Sequence, residues 1–206
     1  MSRVIAYIDG FNLYFGLKSK NWQRYYWLNV QALARNLLKA GQQLVTTKYF
    51  TSRVSSSRQD PAKAKRQNSY LEALLTLEDI EIQAEHYLAK TIRCHRCGYT
   101  WISHEEKMTD VNIAVEMTMD AFQDRFDTAL LVSADSDLTR AVENIRKVLP
   151  RKRVVVAFPP GRHSARLKHI ADASFTIGRK KIADSLFPES VAKPDGYVLH
   201  RPKEWA

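Results

Sequence analysis

The chain has 206 residues, of which 45% are hydrophobic, and its formal net charge is +10. This length is typical of one domain with small elaborations, and the apolar fraction is sufficient for a packed core. The longest apolar runs are strand-sized, well short of the roughly 18 residues of a membrane helix. No signal-peptide core precedes the first strand-like run, and two cysteines are too few for a disulfide framework. We therefore expect a cytoplasmic protein with no membrane partner.

Basic charge is concentrated near the end of the chain. Residues 151–206 hold 12 Lys and Arg against 5 Asp and Glu. Such a surface favours a polyanionic partner, most commonly nucleic acid, although a solvated basic surface is the alternative. The residues expected to contact nucleic acid are Lys107, Arg151, Lys152, Arg153, Arg162, Arg166 and Lys168. A second basic cluster comprises Arg58, Lys63, Lys65 and Arg66.

The first half of the chain alternates strand-like and helix-like segments. In chain order, the patterns predict a strand over 3–8, a short helix through 12–17, an aromatic surface loop over 22–27, a helix over 30–38, a strand over 43–51, a helix from 61 to about 77 and a strand over 80–88. Asn29 is the predicted N-cap of the second helix and Gly41 its predicted C-cap. Pro61 suits the first turn of the third helix.

The second half continues this alternation after an interruption. In chain order, we expect an inserted hairpin at about 90–104, a helix over 110–122, a strand over 127–133, a helix over 138–149, a strand over 153–158, a helix over 164–172, a short strand over 174–177 and a short helix over 179–186. We expect residues 1–187 to form the domain. The remaining residues, 188–206, form a proline-containing tail that docks on the body or on a partner.

Strands that alternate with helices indicate a mainly parallel sheet covered by helices on both faces, an α/β fold. The chain has no Gly-rich phosphate loop of either common type. Its absence argues against a dinucleotide-dependent oxidoreductase and against a P-loop nucleotidase.

Four aspartates occupy the junctions between strands and helices. Asp9 ends the first strand, Asp135 and Asp137 follow the strand over 127–133, and Asp110 opens a helix. In an open α/β sheet, the carboxyl ends of the strands share one edge, where ligands bind. Carboxylates gathered there repel each other unless a cation lies between them, and Mg²⁺ prefers carboxylate oxygens. The pattern therefore predicts a site for Mg²⁺ or Mn²⁺.

Each aspartate also has a purely structural interpretation. Asp110 could cap its helix, Asp135 and Asp137 could form a turn, and Asp9 with Gly10 could form another. Two neighbouring residues, Asn12 and Ser133, could hydrogen-bond a metal-binding carboxylate or cap a local turn. The joint occurrence of four aspartates at such positions favours the metal site.

Three segments together resemble the NYN domain family of the PIN-like nuclease superfamily. They are YIDGFNLYFGL, EKMTDVNIAVEM and LLVSADSDLTRAVENIR, within a match over roughly residues 3–177. The resemblance implies a Rossmann-like three-layer α/β/α sandwich and a metal-dependent ribonuclease. It also implies that the acidic metal site consists of Asp9, Asp110, Asp135 and Asp137, with Asn12 and Ser133 in support.

The resemblance leads to a mechanistic hypothesis. One or two Mg²⁺ bind among the aspartates and activate water for attack on a phosphodiester, in RNA that we expect to be single-stranded. The aromatic run Trp22, Tyr25, Tyr26 and Trp27 could stack unpaired bases, although packing of the protein surface is favoured. A homodimer is an open expectation. The alternatives are a non-catalytic RNA-binding module of the same fold and a small-molecule phosphohydrolase.

The only cysteines, Cys94 and Cys97, lie within the predicted hairpin. Structural zinc needs four ligands, and His86 and His104 flank the pair, so that a Cys₂His₂ site across the hairpin is one hypothesis. A redox-active dithiol and two inert thiols are the others.

Overall fold

The computed structural model describes residues 1–56, 58–86, 88–105 and 108–206, with backbone only for residues 85–92 and 101–105 within those ranges. Its strands are β1 (Ser2–Asp9), β2 (Gln42–Arg53), β3 (Ile80–His86), β4 (Leu88–Arg93), β5 (Thr100–Glu105), β6 (Thr128–Val132), β7 (Arg153–Phe158), β8 (Ala173–Thr176), β9 (Ser190–Ala192) and β10 (Val198–His200). One sheet has the order β3–β2–β1–β6–β7–β8, and all of its neighbouring strands are parallel. The predicted parallel sheet is confirmed.

Helices cover both faces of this sheet. They are α1 (Gly10–Ser19), α2 (Val30–Leu37), α3 (Lys63–Leu74), α4 (Thr109–Phe122), α5 (Thr139–Val148), α6 (Ala165–Ile170) and α7 (Arg179–Ala183). Successive residues of β1 point to opposite faces, as in any strand. Val4, Ala6 and Ile8 pack with α1, α2, α3 and α7, whereas Ile5 and Tyr7 pack with α4, α5 and α6. The fold is therefore the three-layer α/β/α sandwich that the sequence predicted.

Two small hairpins accompany the sandwich. Strands β4 and β5 pair antiparallel, as expected for the cysteine-containing insert. Strands β9 and β10 form a second antiparallel hairpin in the C-terminal tail. Val191 and Leu199 of that hairpin are buried in the core beneath α1, α2 and α3. The tail thus docks on the body. Among the described residues, no helix has the length and apolar character needed to cross a bilayer.

Two local predictions were wrong. Gly41 does not cap α2, which ends at Leu37 because Leu38 adopts an extended conformation. Gly41 has a φ of 81° instead and shapes the turn before β2, where its carbonyl accepts a hydrogen bond from the N–H of Ser2 at 2.9 Å. The aromatic run over 22–27 belongs largely to the core and not to the surface, because the Trp27 side chain is fully buried and contacts Phe187.

A buried lysine connects the sheet to α4. Lys48 of β2 is fully buried, and its ammonium group lies 2.6 Å from Glu116 and 2.8 Å from Asp120. Asp120 also accepts a hydrogen bond from the hydroxyl of Tyr7 at 2.7 Å, and Arg125 lies 3.0 Å from its other oxygen. A buried ammonium group is stable only when it is paired in this way.

Candidate functional site

Strand pairing brings the first aspartate next to the loop after β6. β1 and β6 are neighbours in register, with Ile8 opposite Val132, so that Asp9 and Ser133 both emerge at the carboxyl edge. Ser133 donates a hydrogen bond from its hydroxyl to Asp9 Oδ2 at 2.9 Å. Asn12 Oδ1 accepts one from the N–H of Ala134 at 3.1 Å. These bonds fix the start of α1 against the loop after β6.

Asp9 caps α1 and is almost completely buried. Its Oδ1 accepts a hydrogen bond from the N–H of Asn12 at 2.9 Å, which is the N-cap interaction. Burial raises the pKa of Asp9, and the nearby charge of Asp135 raises it further. The hydrogen bonds from Asn12 and Ser133 lower the pKa, but it stays above its ordinary value. The two donors that hold this carboxylate are uncharged. The Asp9 carboxylate is therefore costly to ionise without an external cation.

The loop after β6 orients the second carboxylate. Asp135 donates a hydrogen bond from its N–H to Ser133 Oγ at 3.0 Å, and its Oδ1 accepts one from the N–H of Asp137 at 3.0 Å. Asp135 thereby caps the short 3₁₀ helix Ser136–Leu138. Its side chain is half-buried, whereas Asp137 is exposed. The Ser133 hydroxyl thus donates to the Asp9 carboxylate and accepts from the backbone N–H of Asp135.

These residues border a cleft of about 350 Å³. The cleft is lined by Asp9, Phe11, Asn12, Phe15, Thr109, Asp110, Asp135 and Arg162. Three of the four predicted aspartates therefore share one cleft, at the edge where they were expected. Asp137 does not line it, and its role in metal binding stays a prediction.

The start of α4 forms the far side of the cleft. Met108, directly before the helix, has a φ of 73°, a left-handed conformation that is uncommon for such a residue. The helix then presents Asp110, which is half-buried. The hydroxyl of Thr109 is buried and has no hydrogen-bond partner among the residues that the structure describes. Unpaired buried hydroxyls are rare in native proteins, and the described part of the chain has two others, those of Thr47 and Ser52.

A glycine allows α1 to lie close to the loop that carries Arg162. A Cβ atom at Gly16 would lie 2.8 Å from Pro159 Cβ and 2.9 Å from the carbonyl oxygen of Pro160. Real Cβ atoms do not approach backbone so closely, so Gly16 is required for this contact. The contact places the Arg162 side chain at the wall opposite α4.

The donors at the cleft suit a hard divalent cation. Within the described residues, no group of three or more His, Cys, Asp or Glu side chains is arranged to enclose a metal ion. Mg²⁺, however, typically keeps several waters and binds one or two carboxylates. The carboxylate oxygens of Asp9, Asp110 and Asp135 are donors of the type that such a partly hydrated ion takes one or two at a time. They do not fit a zinc-type cage.

The predicted nucleic-acid-binding residues lie at different places. Arg162 lines the cleft, and Arg166 and Lys168 are exposed on the following helix, α6. Arg151, Lys152 and Arg153 lie at or just before the start of β7, at the opposite edge of the sheet, and Lys152 pairs with Asp124. Lys107 lies outside the described residues. The contribution of these residues to binding stays a prediction.

The aromatic run after α1 is divided between core and cavity. Trp27 is fully buried and Tyr25 is 4% exposed, so neither presents a ring face to a base. Tyr26 is half-buried and packs against Trp205 with ring centroids 5.8 Å apart. Trp22 is half-buried beneath the guanidinium of Arg179. The packing interpretation therefore fits this run better than base stacking.

The cysteine pair lies in the turn between β4 and β5. Cys94 and Cys97 are both free thiols. Hydrogen bonds from the backbone N–H groups of Cys97 and Arg96 lower the pKa of the Cys94 thiol. The side chains of His86 and His104 lie outside the described part of the chain. The zinc hypothesis and the redox hypothesis both stay predictions.

Three residues that line the cleft were not predicted from the sequence, where their signals are weak. Phe11 and Phe15 are four positions apart on α1 and reach the same wall. Spacing of this kind in a short helix after a strand is usually assigned to the core. Thr109 precedes Asp110 directly, and its position could have been inferred only from the start of α4.

The structure is a parallel α/β/α sandwich with an acidic cleft at the carboxyl edge of its sheet, an arrangement consistent with the PIN-like fold. The model of the NYN domain matches residues 3–178. The chain therefore belongs to the NYN domain family, as its motifs predicted.

Solved structures support the fold. A protein of unknown function from Vibrio parahaemolyticus aligns with a TM-score of 0.56 and 19% identity, covering 90% of this chain and 96% of the other. MurG of Acinetobacter baumannii aligns with a TM-score of 0.38 and 9% identity, covering 91% of this chain and 43% of the other, which is too low to inform the fold. No curated protein matches the sequence.

Proposed function

We propose that the protein is a ribonuclease that hydrolyses phosphodiester bonds in single-stranded RNA with Mg²⁺ or Mn²⁺. The observation that carries this proposal is Asp9, a buried carboxylate that lines an open cleft and, within the described residues, accepts its hydrogen bonds from uncharged donors. Burial without a cationic partner is unfavourable for the ionised carboxylate. A cation in the cleft would remove this cost.

Asp9, Asp110 and Asp135 are the residues that would hold the cation, and Asp137 orients Asp135 through its backbone N–H. A divalent cation bound there supplies an activated water and stabilises the charge that develops on the phosphoryl group. Ser133 and Asn12 keep the first carboxylate in place by hydrogen bonds. The side chains therefore need little rearrangement when the cation and the substrate bind.

Family membership and charge both favour RNA as the substrate. Members of the NYN family have the fold of nucleases that generally act on RNA. Arg162 places a guanidinium at the cleft, where it can bind a phosphate beside the acidic residues. Exposed Arg166 and Lys168 on α6 extend the positive surface away from it. We propose that these residues bind the RNA backbone in the cytoplasm.

The proposal is tested by cleavage of labelled single-stranded RNA with Mg²⁺, with Mn²⁺ and with EDTA. We expect Asp9→Asn and Asp135→Asn to lower the rate by at least about a hundredfold, because each removes an anionic oxygen from the cation. Asp184→Asn is the matched control, since this aspartate is exposed at the end of α7 and pairs only with Lys180 within the described residues. It should cleave as wild type does.

Unchanged, EDTA-resistant cleavage in both cleft variants would contradict the proposal. RNA binding without cleavage by wild type would instead identify a non-catalytic RNA-binding module. Hydrolysis of a small chromogenic phosphodiester, with no cleavage of RNA, would identify a phosphohydrolase.

A further inference from the structure

A second cavity of about 370 Å³ lies directly beside the acidic cleft. Phe11 and Phe15 of α1 line both cavities and form the wall between them. A polymer whose phosphate lies in the acidic cleft therefore reaches the second cavity by passing Phe11 and Phe15. The inference below rests on the proposed function, because the acidic cleft determines where the strand is held.

Aromatic side chains form a continuous wall of this cavity. Phe15 packs against Tyr14 with ring centroids 5.3 Å apart, and Tyr14 packs against Tyr26 at 4.9 Å. Tyr26 in turn contacts Trp205 at 5.8 Å, and all four rings line the cavity. Phe15 is 43% exposed, so part of its ring is open to a ligand. Bare aromatic faces of this kind are the usual platform for unpaired bases.

The mouth of the cavity is basic. Lys18 and Lys63 line it and are both exposed. The Lys18 ammonium group lies 6.0 Å from the centre of the Phe15 ring. Arg66 also lines the cavity, but it pairs with Asp60 and Glu204. The two exposed lysines are thus the groups placed to meet a phosphate.

The wall facing α1 is held in place by its own hydrogen bonds. Gln67 of α3 accepts a hydrogen bond from the N–H of Val54 at 2.8 Å and donates one to the carbonyl of Ser52 at 2.8 Å. The Tyr70 hydroxyl donates to the carbonyl of Leu28 at 2.8 Å. Because these side chains are already engaged, the wall offers ring and methylene surface more than free polar groups. Recognition is then by stacking, which tolerates every base.

We propose that this cavity binds one nucleoside of the RNA strand, next to the phosphate held in the acidic cleft. The base stacks on Phe15, and the phosphate on its far side pairs with Lys18 and Lys63. Cavities of this size hold small organic ligands, and a nucleoside is within that range. An apolar peptide would leave the two lysines without counterions, so the charge favours a nucleotide. The site predicts a requirement for a base with little preference for its identity.

The test is a binding measurement that does not need cleavage. A short fluorescent single-stranded RNA is titrated in Ca²⁺, so that a cation can occupy the acidic cleft, beside an abasic ribose-phosphate chain of the same length and charge. We expect wild type to bind the intact RNA about tenfold or more tightly than the abasic chain, because stacking needs a base. Phe15→Ala should remove most of this preference and leave affinity for the abasic chain unchanged.

Two matched controls separate the cavity from general surface effects. Phe122→Ala removes a ring that is 60% exposed at the end of α4, outside the cavity, and should keep the preference for intact RNA. Lys63→Glu should weaken both ligands several-fold more than Lys65→Glu, which makes the same charge change on α3 without lining the cavity. Circular dichroism verifies that each variant is folded.

Equal wild-type affinity for both ligands would overturn the inference, as would a Phe15→Ala variant indistinguishable from Phe122→Ala. Failure of the nuclease proposal gives a different result, namely base-dependent binding without cleavage in Mg²⁺. The two failures are therefore distinguishable.

Discussion

Two buried aspartates, Asp120 and Asp9, differ in the groups that surround their carboxylates. The Asp120 side chain is 2% exposed and has Lys48 2.8 Å away and Arg125 3.0 Å away. Asp9 is 6% exposed and accepts hydrogen bonds from the Asn12 backbone and the Ser133 hydroxyl. Within the described residues, Asp120 pairs with two cationic side chains, whereas Asp9 takes part in no ion pair.

The pKa values of the two carboxyl groups shift in opposite directions, as their different partners predict. Burial raises the pKa of both, but for Asp120 the hydrogen bonds from Lys48, Tyr7 and Arg125 outweigh it, and the pKa falls below its ordinary value. For Asp9 burial prevails, and the pKa rises. Cationic partners therefore lower the pKa of one buried carboxyl group, and in the part of the chain that the structure describes the other has no such partner.

The largest expected effect comes from breaking the internally paired site. We expect Asp120→Asn to lower the free energy of unfolding by about 3–5 kcal/mol, because it leaves the buried Lys48 ammonium group without its closest fully buried partner. Urea denaturation measures the change. The control is Asp124→Asn, whose exposed carboxylate pairs with Lys152 and Arg3 and should matter little. Equal stability of both variants would show that the Lys48 network is not structural.

A smaller effect is expected from adding a cation to the unpaired site. Mg²⁺ or Mn²⁺ should stabilise the wild-type protein by about 2.7 kcal/mol at a concentration a hundred times its dissociation constant, because only the folded state brings the cleft carboxylates together. Thermal denaturation in MgCl₂ and in NaCl of equal ionic strength measures this. Asp9→Asn should lose most of the stabilisation, whereas Asp184→Asn should keep it. A magnesium effect of equal size in all three proteins would indicate non-specific screening.

The smallest expected effect is the change in stability that Asp9→Asn causes when no metal is present. The raised pKa of Asp9 means that its contribution to stability is complete at low pH and is lost as pH rises through the folded-state pKa. In EDTA at pH 7, Asp9→Asn should therefore be more stable than wild type by about 0.5–2 kcal/mol. The difference should shrink as pH falls toward the ordinary carboxyl pKa near 4. Denaturant titrations across this range would contradict the idea if the variant were less stable throughout.

Patterns within single segments of the sequence were sufficient to predict the architecture and the position of Asp9 at the edge of the sheet. The apolar runs before Asp9 and before Asp135 are long enough to identify β1 and β6, and the parallel fold then places both residues at one edge. The chemical type of each side chain supplied the rest of the metal hypothesis.

The internally paired site could not be found in the same way. Lys48 and Glu116 are 68 positions apart, and Asp120 lies on a helix whose polar residues are usually assigned to solvent. A lysine within a strand is likewise predicted to be exposed, because lysines are rarely buried. Pairing of buried charges between the sheet and a helix depends on tertiary packing, which local sequence patterns do not predict. Trp205 was missed for a similar reason, because the tail has no apolar periodicity and this ring packs against Tyr26, Trp27 and Tyr70, which are far away in sequence.

The pairing of β1 with β6 has a consequence for how the chain is made. The hydrogen bond from Ser133 to Asp9 joins residues 124 positions apart. Contacts of such long range form late in folding, since the intervening chain must first be ordered. During synthesis, Asp9 leaves the ribosome well before Ser133, because more than half of the chain lies between the two residues. The edge of the sheet that carries Asp9 is therefore completed only after the residues up to and beyond Ser133 have been made.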